Sequence, residues 1–185
     1  MALTPTKQID LGFSAPEFSL PDVVSNDSKT FANVRGEKGT VVMFICNHCP
    51  FVVHIREALV KLANDYLSKG FGFVAISSND VSNYPEDSPE KMRELALQCA
   101  FPFPYLYDET QEVAKAYDAA CTPDFSIFDS ENKCVYRGEL DESRPNSGIP
   151  VTGKSIRAAL DLMVNGDPVP SENQNPSIGC NIKWR

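Results

Sequence analysis

The stretch that decides the fold is Val41-Val42-Met43-Phe44-Ile45-Cys46-Asn47-His48-Cys49-Pro50, an apolar run that ends at two cysteines three positions apart. Residues 51–69 carry apolar side chains at helical spacing, and Gly70 is placed to end a helix. The pair therefore lies where a buried strand meets a helix. We expect this position to lower the pKa of one thiol below its ordinary value of about 8.5, because unpaired N–H groups and the helix dipole stabilise a thiolate. A protonated His48 would lower it further.

A C-x-x-C pair is also typical of zinc sites, but those need a second pair of ligands at matching spacing. The second histidine, His54, lies on the same predicted helix as the pair. The other cysteines are all isolated in the sequence: Cys99, Cys121, Cys134 and Cys180. The spacing therefore favours a redox pair over a zinc site, and we expect neither a metal nor a cofactor.

Composition limits the class of protein. A chain of 185 residues with 42% hydrophobic residues can bury the core of one α/β domain. The net charge of −8 argues against nucleic acid or an anionic membrane as a partner, and no apolar run approaches the roughly 18 to 20 residues of a membrane span. The N-terminal residues lack the basic and apolar regions of a secretory signal. We therefore expect a cytoplasmic protein whose cysteines rest mainly as thiols; its oligomeric state stays open.

The remaining sequence alternates predicted strands and helices. Central strands are expected at 40–45 and 71–77, a hairpin at 125–128 and 133–137, and short edge strands within 1–30. Helices are expected at 51–69, 89–100, 109–117 and 154–164. This order predicts an α/β fold with a mixed central sheet, helices on both faces and an N-terminal β extension. We expect one domain over residues 1–185, with residues 166–185 as a C-terminal tail docked on it.

Two motifs together resemble the thioredoxin fold: Cys46-Asn47-His48-Cys49 at the strand end and Cys121-Thr122-Pro123-Asp124 before the hairpin. The resemblance implies a cis Thr122–Pro123 bond facing the cysteines. It also implies that the backbone of Thr122 is free to pair with an extended substrate segment, so that Thr122 and Pro123 are the expected substrate-binding residues.

Further stretches make the resemblance closer, to the peroxiredoxin-like branch of the thioredoxin superfamily, the alkyl hydroperoxide reductase and thiol-specific antioxidant relatives. They are Ala15-Pro16-Glu17-Phe18, Ser77-Ser78-Asn79-Asp80, Tyr84-Pro85-Glu86-Asp87, Phe101-Pro102-Phe103-Pro104-Tyr105-Leu106-Tyr107-Asp108, Tyr136-Arg137-Gly138 and Pro176-Ser177-Ile178-Gly179-Cys180-Asn181-Ile182-Lys183-Trp184. The resemblance covers nearly the whole chain. It implies redox chemistry without naming the reaction.

Peroxide reduction and disulfide exchange are the two reactions to compare. Peroxiredoxins place a threonine three residues before the peroxidatic cysteine, but here Met43 precedes Cys46 at that distance. Arg137 is the nearby substitute for the peroxiredoxin arginine, and it is equally well explained as a surface charge. We therefore expect a thiol–disulfide oxidoreductase in which Cys46, the more exposed thiol, attacks and Cys49 resolves. A thiol-dependent peroxidase and a catalytically idle binding module remain the alternatives.

The same resemblance bears on the expected partners and on the role of Cys180. The resemblance implies a protein disulfide substrate or an electron-donor thiol protein as partner. Cys180 is either an incidental thiol in a docked tail or a third redox cysteine that bonds to Cys46 or Cys49. Cys121, beside the expected cis-proline, could also face the pair. The histidine at position 48 implies, by analogy with the superfamily, a redox potential less reducing than that of a typical thioredoxin.

Overall fold

The computed structural model describes residues 3–185, and a five-stranded sheet lies at the centre of this part of the chain. In chain order the elements are β1 (Leu3–Pro5), β2 (Ser19–Pro21), β3 (Ser28–Thr30), α1 (Phe31–Val34), β4 (Gly39–Phe44), α2 (Pro50–Leu67), β5 (Phe71–Ser77), a 3-10 turn (Pro85–Asp87), α3 (Pro89–Gln98), β6 (Tyr105–Tyr107), α4 (Glu112–Ala116), β7 (Cys121–Thr122), β8 (Asp124–Asp129), β9 (Cys134–Gly138), α5 (Lys154–Asn165) and β10 (Ile178–Asn181).

The central sheet has the strand order β6-β5-β4-β8-β9. Strands β4, β5 and β6 run parallel, whereas β8 is antiparallel to β4 and β9 is antiparallel to β8. Every residue of β4 and β5 is buried, as strands covered on both faces require. This mixed sheet confirms the predicted thioredoxin-like fold.

Alternate residues of β4 serve two hydrophobic cores. Val41 and Met43 pack in the core formed with α2, α3 and α5, and Val42 and Phe44 pack in the core formed with α1 and α4. Side chains of a strand alternate between faces, so a continuous apolar run can fill both cores. Helices therefore cover both faces of the sheet. None of the helices within residues 3–185 is long and apolar enough to cross a membrane.

Helix α2 forms as its sequence predicts. Pro50 occupies its first turn, where a missing N–H costs little, and the chain leaves the helix before Gly70, which has a φ of +92°.

The predicted helix at 109–117 is shorter than expected. Gln111 adopts a left-handed backbone conformation and the Asp108 carboxylate accepts hydrogen bonds from the first N–H groups, so α4 begins only at Glu112.

The chain ends meet in a separate sheet with the strand order β1-β10-β7. Strand β10 is antiparallel to both neighbours, with Cys180 opposite Leu3 on one side and Thr122 on the other. Ile182, just beyond β10, is buried in the core shared with α1 and α4. The C-terminal segment therefore lies directly against the loop that leads into β8.

Candidate active site

The two cysteines of the C-x-x-C motif lie between β4 and α2. Cys46 follows the strand, and Cys49 is the N-cap residue of α2, whose carbonyl accepts hydrogen bonds from the N–H groups of Val52 and Val53. Both cysteines are buried, with 1% of Cys46 and 0% of Cys49 exposed. The expected greater exposure of Cys46 amounts to this small difference alone, because neighbouring segments cover both sulfurs.

The loop before β8 supplies most of that cover. The Thr122–Pro123 peptide bond is cis, as the resemblance implied. The Oγ1 of Thr122 lies 3.4 Å from the Sγ of Cys46, and the carbonyl oxygen of Thr122 lies 3.1 Å from the Sγ of Cys49. Thr122 therefore contacts both thiols. Its backbone is not free for a substrate segment, because β7 is already paired with Cys180 of β10.

Cys180 brings a third sulfur to the site. Its Sγ lies 2.8 Å from the Sγ of Cys49, and only 2% of the residue is exposed. Three sulfurs, those of Cys46, Cys49 and Cys180, therefore lie together at the site. Cys121 does not join them: its Sγ lies 4.0 Å from the Thr6 hydroxyl and donates to the Pro123 carbonyl at 3.5 Å.

A buried carboxylate that the sequence did not single out completes the site. Asp87, at the end of the 3-10 turn, is fully buried. Its Oδ1 accepts from the backbone N–H of Asn47 at 2.8 Å, and its Oδ2 contacts the Nδ1 of His48 at 2.7 Å and accepts from the amide of Asn79 at 2.8 Å. The His48 ring also stacks on Tyr84, with centroids 5.4 Å apart. Asp87 therefore fixes the two residues between the cysteines.

Asp87 and His48 form an ion pair. The hydrogen bond to Asp87 raises the pKa of His48, although partial burial opposes the shift. Burial also opposes ionisation of Asp87, but hydrogen bonds from His48 and Asn79 hold the pKa of Asp87 below its ordinary value. Both shifts favour an imidazolium held by a carboxylate.

The environment separates the pKa values of the two cysteines. Hydrogen bonding to Cys49, burial and the negative charge of Asp87 raise the pKa of Cys46. The hydrogen bond from Cys46 lowers the pKa of Cys49 to about 4; burial opposes this, while bonds from Cys180 and the Val52 N–H assist it. The Thr122 side chain also lowers this pKa, whereas the Thr122 carbonyl, which accepts from the neutral thiol, opposes the shift. These shifts favour a thiolate on Cys49 rather than on Cys46, which the sequence had suggested.

One group of side chains could coordinate a metal. Ligand atoms of Cys46, His48 and Asp87 lie within 4.8 Å of one another. Within residues 3–185 this group offers three ligands, and the His48 nitrogen and the Asp87 oxygen are already bonded to each other. A metal would have to replace that bond. The arrangement thus has the donors for a cation but is satisfied as an ion pair.

Arg137 lies outside the site. Only 4% of Arg137 is exposed, so it is not a surface charge. Its guanidinium donates to the Ser126 hydroxyl and to three backbone carbonyls, those of Lys7, Tyr117 and Asp118. The interpretation of Arg137 as a surface charge is therefore wrong: its bonds join the N-terminal segment to the end of α4.

Comparisons with known proteins agree with this geometry. The sequence model of the Redoxin family matches residues 11–152. An uncharacterized conserved protein from Geobacillus kaustophilus is 61% identical, with a TM-score of 0.98 over 100% of this chain and 97% of that one. A hypothetical protein from Sinorhizobium meliloti 1021 is 47% identical, with a TM-score of 0.95 over 98% of each chain.

A more distant structure shares the fold alone. Peroxidoxin BcpB from Mycobacterium tuberculosis is 15% identical, with a TM-score of 0.62 over 86% of this chain and 98% of that one. A search of curated proteins gave no match. The family match spans most of the sequence, including the C-x-x-C motif and the cis-proline loop. This chain therefore belongs to the Redoxin family, and its thioredoxin-like fold and clustered thiols are those of a redox protein.

Proposed function

We propose that this redoxin is a thiol–disulfide oxidoreductase that uses the Cys46–Cys49 pair on protein or small-molecule disulfides. The observation that carries the proposal is the polarised pair at the start of α2. Cys49 is in surroundings that hold a thiolate, and Cys46 is the thiol that donates to it. A thiolate is the attacking species in disulfide exchange, so the reduced protein holds a nucleophile and its proton donor side by side.

The pair would act in two steps. The thiolate of Cys49 attacks one sulfur of the substrate disulfide, forms a mixed disulfide and displaces the other sulfur as a thiolate. Cys46 then attacks the Cys49 sulfur and forms the Cys46–Cys49 disulfide. The second half of the substrate leaves as a thiolate, and the protons follow to the released thiols. The pair gives up two electrons, which an electron-donor thiol protein would restore.

Access to the pair requires movement of its cover. Cys49 is enclosed by Thr122 and Cys180, which contact its sulfur directly. A substrate therefore reaches the sulfur only when the loop before β8 or β10 moves aside. We expect this local opening to limit the rate with bulky protein substrates more than the rate with small disulfides.

The test is a parallel turnover assay on the reduced protein, with a protein disulfide in one reaction and hydrogen peroxide in the other. Cys46→Ser and Cys49→Ser are compared with wild type. Cys99→Ser is the matched control, because Cys99 closes α3 rather than lying at α2. We expect both site variants to lose disulfide turnover and the control to keep it. Full turnover in Cys49→Ser would contradict the proposal.

The peroxide reaction distinguishes the alternatives. A thiol-dependent peroxidase would consume peroxide much faster than a free thiol and would lose this activity in one of the two variants. The position of Arg137, bonded to Tyr117 and Asp118 rather than to the cysteines, does not favour that activity. An idle binding module would turn over neither substrate. We expect peroxide consumption no faster than that of a free thiol.

A further inference from the structure

Cys49 has two possible sulfur partners, one on each side of it. Cys46 donates to it from the end of β4, and Cys180 approaches it from β10 with the sulfurs 2.8 Å apart. A disulfide has an S–S distance of about 2.05 Å, so the Cys49 and Cys180 sulfurs need to approach by less than about 1 Å to bond. Cys49 can therefore bond to either neighbour with little movement of the chain.

The fold itself holds Cys180 in place. Before it, the Ser177 hydroxyl donates to the Pro123 carbonyl at 2.7 Å, and the Ser177 carbonyl accepts from the Thr6 N–H at 2.8 Å. After it, the Ile182 N–H donates to the Ala120 carbonyl at 3.1 Å and the Lys183 N–H donates to the Asn79 side chain at 2.9 Å. Bonds on both sides of Cys180 keep its sulfur at Cys49.

Gly179 permits this close approach. A Cβ at this position would lie 2.0 Å from the Thr122 carbonyl oxygen, far inside van der Waals contact. A residue with a side chain would push β10 away from the loop and carry Cys180 with it. The glycine next to Cys180 is thus what allows the third sulfur to reach the pair.

We propose that Cys180 is a third redox residue that exchanges with the Cys46–Cys49 disulfide. This inference rests on the proposed function, which produces that disulfide. The Cys180 sulfur attacks the Cys49 sulfur, the Cys49–Cys180 bond forms, and the Cys46–Cys49 bond breaks. Cys46 leaves with the electron pair and takes up the proton that Cys180 loses. The step needs no further oxidant or reductant, and the oxidised protein holds one disulfide in two alternative positions.

Peptide mapping of the oxidised protein tests this exchange. The folded protein is oxidised with diamide, trapped with acid and an alkylating reagent, and digested with trypsin without reduction. Trypsin releases Cys46 and Cys49 together in residues 39–56 and Cys180 in residues 158–183. We expect two products in wild type: a loop within the first peptide, and a crosslink between the two peptides with Cys46 alkylated.

Variants assign the bonds. Cys46→Ser should show the crosslink alone. Cys180→Ser should show the internal loop alone, and when it is fully oxidised no Cys46 should be alkylated. Cys99→Ser should match wild type. Cys180 recovered only as the alkylated thiol, in wild type and in Cys46→Ser, would overturn the inference.

The same preparations separate this inference from the proposed function. If the protein turns over disulfides but Cys180 is always recovered as the alkylated thiol, the exchange is overturned and the oxidoreductase proposal stands. A Cys49–Cys180 crosslink in a protein that lacks disulfide turnover would support Cys180 as a redox partner of Cys49 and would reject the proposed function.

Discussion

Two buried ion pairs in this protein have similar chemistry and different surroundings. Asp87 pairs with His48 beside the cysteines, at 2.7 Å, and Asp124 lies 3.8 Å from Arg137 behind the cis-proline loop. Burial raises the pKa of Asp124 despite the charge of Arg137, whereas the pKa of Asp87 is lowered. The difference lies in the donors, because Asp87 accepts short hydrogen bonds and Asp124 has longer ones, at 3.1 and 3.3 Å.

The comparison shows that a buried charge does not by itself mark an active site. Arg137 is almost fully enclosed, and its bonds join segments of the main chain. His48 keeps 18% of its side chain exposed and lies between the two cysteines in sequence. We therefore expect changes to the Arg137 pair to affect stability, and changes to the Asp87 pair to affect both stability and thiol chemistry.

The largest expected effect is that of Arg137→Met. This substitution keeps much of the side-chain volume but leaves Asp124 and several carbonyls without their donor. Removing one partner of a buried ion pair costs about 3 to 5 kcal/mol, and the free energy of unfolding in urea should fall by about that amount. In the folded fraction the pKa of Cys49 should stay unchanged. A fall in the free energy of unfolding of less than about 1 kcal/mol would contradict the structural role assigned to Arg137.

A smaller loss of stability is expected for Asp87→Asn. The amide keeps the shape but removes the charge, and at least one of the three donors loses its acceptor. Unpaired buried groups cost about 1 to 3 kcal/mol. The pKa of His48 should fall, and the pKa of Cys46 should fall because Asp87 no longer repels its thiolate. Titration of the His48 ring by NMR and alkylation of Cys46 at several pH values measure both.

The control for this variant is Asp80→Asn. Asp80 is a buried acidic residue in the loop after β5, but its carboxylate accepts from the Ser82 N–H and the Asn83 amide. It should leave the titration of His48 unchanged. If Asp80→Asn and Asp87→Asn lowered the pKa of His48 equally, the specific pairing of His48 with Asp87 would be contradicted.

The two buried carboxylates should also respond to pH in opposite directions. Asp87, with a lowered pKa, adds stability above its unfolded pKa of about 3.9, which is lost as the pH falls through its folded value. His48, with a raised pKa, adds stability that is complete below about 6.5 and is lost as the pH rises through its folded value. Asp124, with a raised pKa, adds stability below about 3.9 that is lost as the pH rises through its folded value.

Urea unfolding at a series of pH values measures these contributions. Relative to wild type, Asp87→Asn should show its full loss between about pH 4 and 6.5, where both partners of the pair are charged. Asp124→Asn should instead remove a contribution to the free energy of unfolding that is present only at acid pH. Two parallel profiles would mean that the two carboxylates do not differ in the direction of their shifts.

The smallest effect is expected for His48→Gln. Asp87 keeps its bonds from Asn47 and Asn79, so the stability loss should be that of one hydrogen bond, about 1 kcal/mol, and smaller than that of Asp87→Asn. The charge of Cys49 contributes to the raised pKa of His48, and this attraction is reciprocal. The pKa of Cys49 should therefore rise slightly, as measured by thiolate absorbance. A large rise would mean that His48, rather than Cys46, is the main group that stabilises the thiolate.

Local patterns in the sequence predicted most of the fold. The apolar run of β4 and the helical spacing of α2 are short-range signals, and the structure follows them closely. Resemblance supplied the cis Thr122–Pro123 bond. The start of α4 was placed too early because capping by Asp108 and the left-handed Gln111 depend on the folded loop.

The site was only partly visible in the sequence. The C-x-x-C motif and Cys180 were identified, but their burial results from β10 and Thr122, which meet only after folding. Asp87 was missed because it is 39 residues from His48 and lies in a short 3-10 turn without a motif of its own. Its charge, together with the donors around Cys49, explains why the order of the two thiols differs from the expectation.

The most direct test of the central claim is the pH titration of thiolate absorbance in the reduced protein, comparing wild type with Cys46→Ala and Cys49→Ser. We predict that wild type holds a thiolate that is lost as the pH falls through about 4. This thiolate should be absent from Cys49→Ser and should titrate at a higher pH in Cys46→Ala, whose side chain has no hydrogen-bond donor. A low-pKa thiolate that persists in Cys49→Ser and disappears in Cys46→Ala would contradict the account and restore Cys46 as the nucleophile.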